Sequence, residues 1–167
     1  MPRALRLGVD LWGLPGLSPS EQRIVEQGNA MAQFTVSVIK LSIELQIPVG
    51  LENPLTSRLW LLPELVQLCS LPCVQQVKLH MCQFGAPWMK PTWVHIWHCG
   101  PADAARRQCC KRNTSGTSLC SATGVPHERL SGLSGTGHNE FNTPASAVCP
   151  VHFCNAAVDI MMHARVA

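Results

Sequence analysis

The feature that most constrains this fold is a long helical pattern near the start of the chain. Ser20 follows Pro19 and is suited to cap a helix, and Pro48 blocks continuation beyond Gln46. Between them, apolar residues recur at steps that place them on one side of a helix: Ile24, Met31, Phe34, Val38, Leu41 and Leu45. The spacing predicts a helix from Ser20 to Gln46 with an apolar face.

Short apolar segments after this helix predict the strands of a sheet. The three predicted strands cover residues 49–52, 74–84 and 93–97. A second, shorter helix with Pro63 near its start separates the first two strands. Because helices and strands alternate, the sequence predicts an α/β fold.

The composition changes at Cys99. The pattern is regular up to residue 98, whereas Gly, Ser, Thr and Cys dominate from Cys99 to Ser146. A last apolar stretch, residues 156–166, is typical of a short helix. We therefore predict two zones, residues 1–98 and residues 99–167, the second being an irregular cysteine-containing appendage.

The overall composition indicates a folded chain and excludes several classes of protein. Hydrophobic residues make up 46% of the 167 residues and charged residues only 14%, which is too apolar for a disordered tail. No apolar stretch reaches the ~18 residues that a membrane helix needs, and no export signal is evident. We expect an intracellular protein, nuclear or cytoplasmic, whose nine cysteines are reduced thiols or metal ligands.

Cysteine and histidine residues in the second zone form a candidate zinc site. Cys99, Cys109 (or Cys110), Cys120 and His127 would supply three sulfur atoms and one imidazole, a common tetrahedral zinc set. A metal would help to order a segment that has few apolar anchors. The alternative is a loop with free thiols, because the segment has no Cys-x-x-Cys motif and the gaps between ligands are long.

Glu52 stands out because it ends a predicted buried strand. A carboxylate in such a position is unfavourable unless it has a partner. In open α/β sheets the carboxyl ends of the strands are where ligands bind. The alternative is that Glu52, Asn53 and Pro54 simply form a turn.

Motifs spread along the chain resemble the C-terminal half of a DNA (cytosine-5) methyltransferase-like domain. Glu-Asn-Pro at 52–54 and Gly-Ala-Pro at 85–87, followed by Lys90, are similar to the second half of the family's pattern. Other segments resemble a divergent branch found in phage-type and retroelement-linked genes: Trp-Gly-Leu-Pro at 12–15, Gly-Asn at 28–29, Ser-Arg-Leu-Trp at 57–60, and a tail pattern at Cys120, Thr123, Gly124, His127, Leu130 and Gly132. The resemblance implies part of a Rossmann-like methyltransferase sheet.

The resemblance also implies roles for individual residues. Glu52 matches the catalytic acid that bonds and protonates the ring of a cytosine flipped out of DNA. Asn53 matches a residue that braces the loop of the cysteine nucleophile. Lys90 matches a basic substrate contact, and the implied methyl donor is S-adenosylmethionine.

The chain lacks two features of the family that methyl transfer requires, the nucleophile loop and the methyl-donor turn. No Pro-Cys nucleophile loop precedes the long helix, and the first cysteine is Cys69. The Gly-rich turn that holds S-adenosylmethionine is absent too. The sequence thus predicts a partial methyltransferase-like protein, inactive unless an upstream half supplies the donor site. The alternative prediction is a non-catalytic nucleic-acid-binding or zinc-binding module from a mobile element.

Overall fold

The computed structural model describes residues 5–8, 10–110, 119–128, 130 and 147–163. Three helices are present among these residues: α1 (Pro19–Glu44), α2 (Pro63–Cys69) and α3 (Val151–Met162). Three strands accompany them: β1 (Val49–Pro54), β2 (Val74–His80) and β3 (Pro91–Trp97). Short 3₁₀ turns cover Arg58–Leu61, Met81–Phe84 and Asp103–Ala105. None of the helices in these ranges is long and apolar enough to cross a membrane.

The strands form one sheet in the order β1-β3-β2, with β3 antiparallel to both neighbours. β1 and β2 therefore run in the same direction, and their carboxyl ends lie beside the start of β3. The register pairs Pro54 with Thr92 and His80 with Pro91. The predicted mixed α/β class is confirmed, whereas a methyltransferase-type sheet stays a prediction.

The start of α1 corrects the predicted cap. The N-cap is Ser18 rather than Ser20, and the helix begins at Pro19. The Ser18 Oγ accepts a hydrogen bond from the Glu21 backbone N–H, while the Glu21 carboxylate accepts one from the Ser18 N–H at 2.8 Å. This capping box satisfies two backbone donors, and proline is well suited to the first helical position because it has no N–H to satisfy.

The buried side of α1 is not the predicted apolar face. Val25, Val36 and Ile39 are buried against the rest of the protein. The predicted stripe lies on another side of the helix and is exposed: Ile24, Met31, Phe34, Val38, Leu41 and Leu45. Both sets satisfy helical spacing, so periodicity alone could not choose between them.

Two apolar clusters cover the two faces of the sheet. On one face Trp97 packs with buried residues of α1 and α2, including Ile39 and Leu65. On the other face Val77 and Ile96 pack with apolar residues that follow Cys99, including Phe153 of α3. Helix α3 begins at Val151, earlier than the predicted residue 156, which places Phe153 in this cluster. The cluster thus joins residues on both sides of position 98, and the two-zone division stays a prediction.

Candidate metal centre

Four side chains that can bind a metal converge beside the carboxyl end of β2. They are Cys82, Cys109, Cys120 and His127, and their ligand atoms all lie within 4.8 Å of one another. Cys82 and Cys120 are buried, whereas Cys109 and His127 are half-buried. In a tetrahedral zinc site with Zn–S bonds of ~2.3 Å, neighbouring sulfur atoms are roughly 3.8 Å apart. The cluster therefore needs only a small contraction to enclose a metal ion.

Cys82 is positioned by the turn that follows β2. The strand ends at His80, and the 3₁₀ turn Met81–Phe84 carries the cysteine inward. Gly85 closes this turn with φ of 96°, and its N–H donates to the Cys82 carbonyl at 3.3 Å. Glycine favours this left-handed conformation because it has no Cβ. The Cys82 side chain is thereby held in the core, where it is 1% exposed.

Cys109 is held against the end of β2 by hydrogen bonds to His80. The Cys109 N–H donates to His80 Nδ1 at 2.9 Å. The His80 N–H in turn donates to the Arg107 carbonyl at 2.9 Å. The Arg107 guanidinium lies 5.3 Å from the centre of the Phe84 ring. These contacts fix the segment before Cys109 alongside the turn that carries Cys82.

A tight turn joins Cys120 to His127. The Cys120 N–H donates to the Val125 carbonyl, and the Gly124 N–H donates to the Cys120 carbonyl, each at 2.8 Å. Gly124 has φ of 74°, again in the left-handed region that favours glycine. Leu119 and Pro126 form a bridge across the base of the turn. The turn therefore brings His127 back toward the cysteines.

Hydrogen-bond donors point at the sulfur atoms. The Ser121 N–H donates to Cys109 Sγ at 3.2 Å, and the Ala122 N–H donates to Cys120 Sγ at 3.4 Å. The Gln83 amide lies 3.6 Å from Cys82 Sγ and 3.9 Å from Cys120 Sγ. Such donors stabilise thiolates, which are the form that binds a metal.

The thiols of the cluster differ in acidity. Burial acts to raise the pKa of Cys120, but hydrogen bonds from Ala122, Thr123 and His127 outweigh it and lower that pKa to about 6. Burial raises the pKa of Cys82 to about 12, and the neighbouring Cys120 and Cys109 add to this effect against the Gln83 hydrogen bond. A cation bound between these sulfur atoms would remove the repulsion among their thiolates.

Three of the predicted ligands lie in this cluster, and the fourth does not. Cys99 follows the other end of β3, where its thiol donates to the Trp97 carbonyl at 3.2 Å. Cys110 is exposed and outside the cluster. Cys82 takes the fourth place, and it was not among the ligands predicted from the sequence. A following glycine does not separate the two candidates, because Cys99 is followed by Gly100 just as Cys82 is followed by Gly85.

The cysteines outside the cluster are free thiols as well. All nine cysteines fall within the described residues, and none of them forms a disulfide. Cys69 Sγ lies 2.7 Å from His95 Nδ1, and burial raises the pKa of the Cys69 thiol to about 11. Cys69 is therefore a protonated thiol rather than an activated nucleophile.

The residues to which the methyltransferase resemblance assigns roles, Glu52, Asn53 and Lys90, lie outside the metal cluster. Glu52 Oε1 and Lys90 Nζ form an ion pair at 3.4 Å, with side-chain exposures of 26% and 13%. The sheet brings them together because β1 ends beside the start of β3. Glu52 also borders a mostly apolar cavity of about 190 Å³ between the sheet and α3. Asn53 is paired with Trp93 in the sheet register.

The tail motif of the resemblance coincides with the metal cluster. Cys120 and His127 are cluster residues, and Thr123 and Gly124 belong to the turn that joins them. Leu130 is described but takes no part in the cluster, and Gly132 lies outside the described residues. Comparison of the chain with family models, with curated proteins and with solved structures found no match.

Proposed function

We propose that this chain is a non-catalytic module whose fold is completed by one structural zinc ion. The ion is held by Cys82, Cys109, Cys120 and His127. The observation that carries the proposal is the convergence of their four ligand atoms within 4.8 Å. Because Cys82 lies on the turn after β2 and the other three ligands come later, the metal fastens the later segment to the sheet.

The ligand types favour zinc over the other common metals. Thiolate and imidazole ligands suit zinc, whereas calcium and magnesium require oxygen ligands. Three cysteines and one histidine complete a tetrahedral shell, which leaves no open position for a water or a substrate. The site is therefore structural, and its contribution is to the free energy of folding.

The direct test is the metal content of the protein purified without added metal. We expect about one zinc per chain by elemental analysis, because four protein ligands make one tetrahedral site. Cys82→Ser and Cys120→Ser should each reduce the zinc content strongly. Cys99→Ser is the matched control, since Cys99 lies outside the cluster, and it should retain the metal. Retention of zinc by Cys82→Ser together with its loss in Cys99→Ser would contradict this ligand set.

A second candidate function rests on the Glu52–Lys90 ion pair. The methyltransferase resemblance requires an acid and a basic substrate contact near each other, and these side chains are 3.4 Å apart. On this proposal the chain is part of a cytosine-5 methyltransferase-like protein that acts on DNA. It would use S-adenosylmethionine only with an upstream half that supplies the donor site and the nucleophile.

This second candidate predicts recognition of an unpaired cytosine. We expect tighter binding to a DNA duplex with an extrahelical cytosine than to one with an extrahelical thymine, measured by fluorescence anisotropy. Glu52→Gln should weaken the cytosine preference by about tenfold, since a hydrogen bond to a charged group contributes ~1.5–3 kcal/mol. Glu64→Gln, in the exposed first turn of α2, is the control. Equal binding of both duplexes would contradict the assignment.

A further inference from the structure

A cleft between the N-terminal segment, α1 and the turn Arg58–Leu61 is independent of both sites described above. Its volume is about 490 Å³, and it contains none of the metal-cluster residues and neither Glu52 nor Lys90. Small-molecule sites in proteins usually enclose ~300–1,000 Å³. The cleft is therefore large enough for a ligand the size of a nucleotide.

One side of the cleft is held in place by helix α1. Arg6 Nη2 donates to the Val25 carbonyl at 3.0 Å and to Asn29 Oδ1 at 2.9 Å. The Asn29 amide donates to the Trp12 carbonyl at 2.8 Å. Gly28 makes room for the guanidinium, because a Cβ there would lie 2.9 Å from Arg6 Nη2. The helix thus fixes both Arg6 and Trp12 at the cleft.

The turn Arg58–Leu61 adds a second arginine to the lining. Arg58 follows Ser57, whose hydroxyl accepts from the Leu59 N–H at 3.3 Å and fixes the start of the turn. Within the described ranges no carboxylate lines the cleft, and none pairs with Arg58. Leu59 and Leu62 add apolar surface to the lining. The cleft therefore combines positive charge, an indole ring and apolar surface.

We propose that this cleft binds the phosphate and base of a nucleotide, a function separate from the zinc module. Guanidinium groups donate paired hydrogen bonds that match the oxygen atoms of a phosphate. Trp12, 40% exposed, offers a surface on which a base can stack. Arg6 and Arg58 hold the phosphate, and Trp12 and the leucines contact the base. A free mononucleotide and one nucleotide of a single-stranded nucleic acid both offer a phosphate and a base to this cleft.

The test is calorimetric titration of the full chain with adenosine 5′-monophosphate. We expect saturable binding that adenosine alone does not reproduce, since the arginines require the phosphate. Arg58→Gln should weaken binding about tenfold or more, as expected when a charge-assisted hydrogen bond is lost. Arg23→Gln, which removes the same charge from an exposed position outside the cleft, should leave binding unchanged. Equal affinities of these two variants would overturn the proposal.

Two further variants separate a binding role from a folding role. Gly28→Ala displaces the Arg6 guanidinium without removing a charge, and Trp12→Leu removes the stacking surface. Each variant should bind the mononucleotide more weakly. The thermal unfolding curve of each should stay near that of the wild type. A single-stranded oligonucleotide that competes with the mononucleotide and depends on Arg58 would identify a strand as the source. If the oligonucleotide competes but its binding does not depend on Arg58, the site is refuted. The absence of saturable binding at millimolar mononucleotide would refute it as well.

Discussion

Removal of the proposed zinc ion is expected to destabilise this protein more than any single truncation in its core. Apparent zinc-binding free energies in zinc-finger peptides are ~10–16 kcal/mol, comparable with the total 5–15 kcal/mol of stability typical of a domain. The candidate ligands come from the turn after β2 and from two later segments. We therefore expect a zinc chelator to lower the unfolding temperature strongly and to expose Cys82 and Cys120 to thiol reagents.

The dependence of folding stability on the free zinc concentration gives a quantitative check of the proposed site. If only the folded state binds the metal, each tenfold rise in free zinc above the dissociation constant adds about 1.4 kcal/mol to stability. Cys120→Ser should be indifferent to both zinc and chelator. Cys99→Ser should respond as the wild type does, because Cys99 lies outside the cluster. An unfolding temperature that is the same with and without chelator would exclude a structural metal.

Trp97→Ala is expected to cause the second-largest loss of folding stability. Trp97 lies on the central strand β3, is 0% exposed, and packs between α1 and α2. Its indole N–H also donates to the Leu68 carbonyl at 2.9 Å. Truncating a buried tryptophan costs ~3–5 kcal/mol through lost burial and the cavity left behind. Urea unfolding should show this loss as a lower midpoint, unless the variant fails to fold.

Phe34→Ala is the matched control for burial. Phe34 belongs to the predicted apolar face of α1 but is 71% exposed. Surface substitutions usually change stability by no more than ~0.5 kcal/mol. We therefore expect Phe34→Ala to unfold at nearly the wild-type urea concentration. A loss as large as that of Trp97→Ala would mean that this side of α1 is buried in the folded protein.

The positions of α1, α2 and the strands followed from the sequence because local interactions set them, whereas the predicted strand 74–84 ends at His80 and the last helix begins five residues early. The capping residues near Pro19 and the block at Pro48 bound helix α1 to within two residues of the prediction. The apolar run at residues 49–52 became β1, and the segments around Val77 and Val94 became β2 and β3. Turn chemistry and side-chain period act between residues close in the chain, so a single sequence carries this information.

The candidate metal site could be predicted only in part. Cys109, Cys120 and His127 lie close in sequence, and the ligand types alone suggested a zinc site. The identity of the fourth ligand depends on which end of the sheet lies next to these three residues. Cys99 and Cys82 lie near opposite ends of the sheet, and only the second is beside the turn from Cys120 to His127. Ligand spacing carries no information about that choice.

By itself the sequence determined which segments form helices and strands, and which residue types can bind a metal. Tertiary structure alone decided which side of α1 is buried and which cysteine completes the cluster. The physical reason is the same in both cases. Two apolar stripes on α1 fit the same helical period, so either could be the buried one. Several cysteines offer the same thiol ligand, so any of them could complete the metal site. Only the packing of α1 and α2 against β3, and the strand order β1-β3-β2, select between these equivalents.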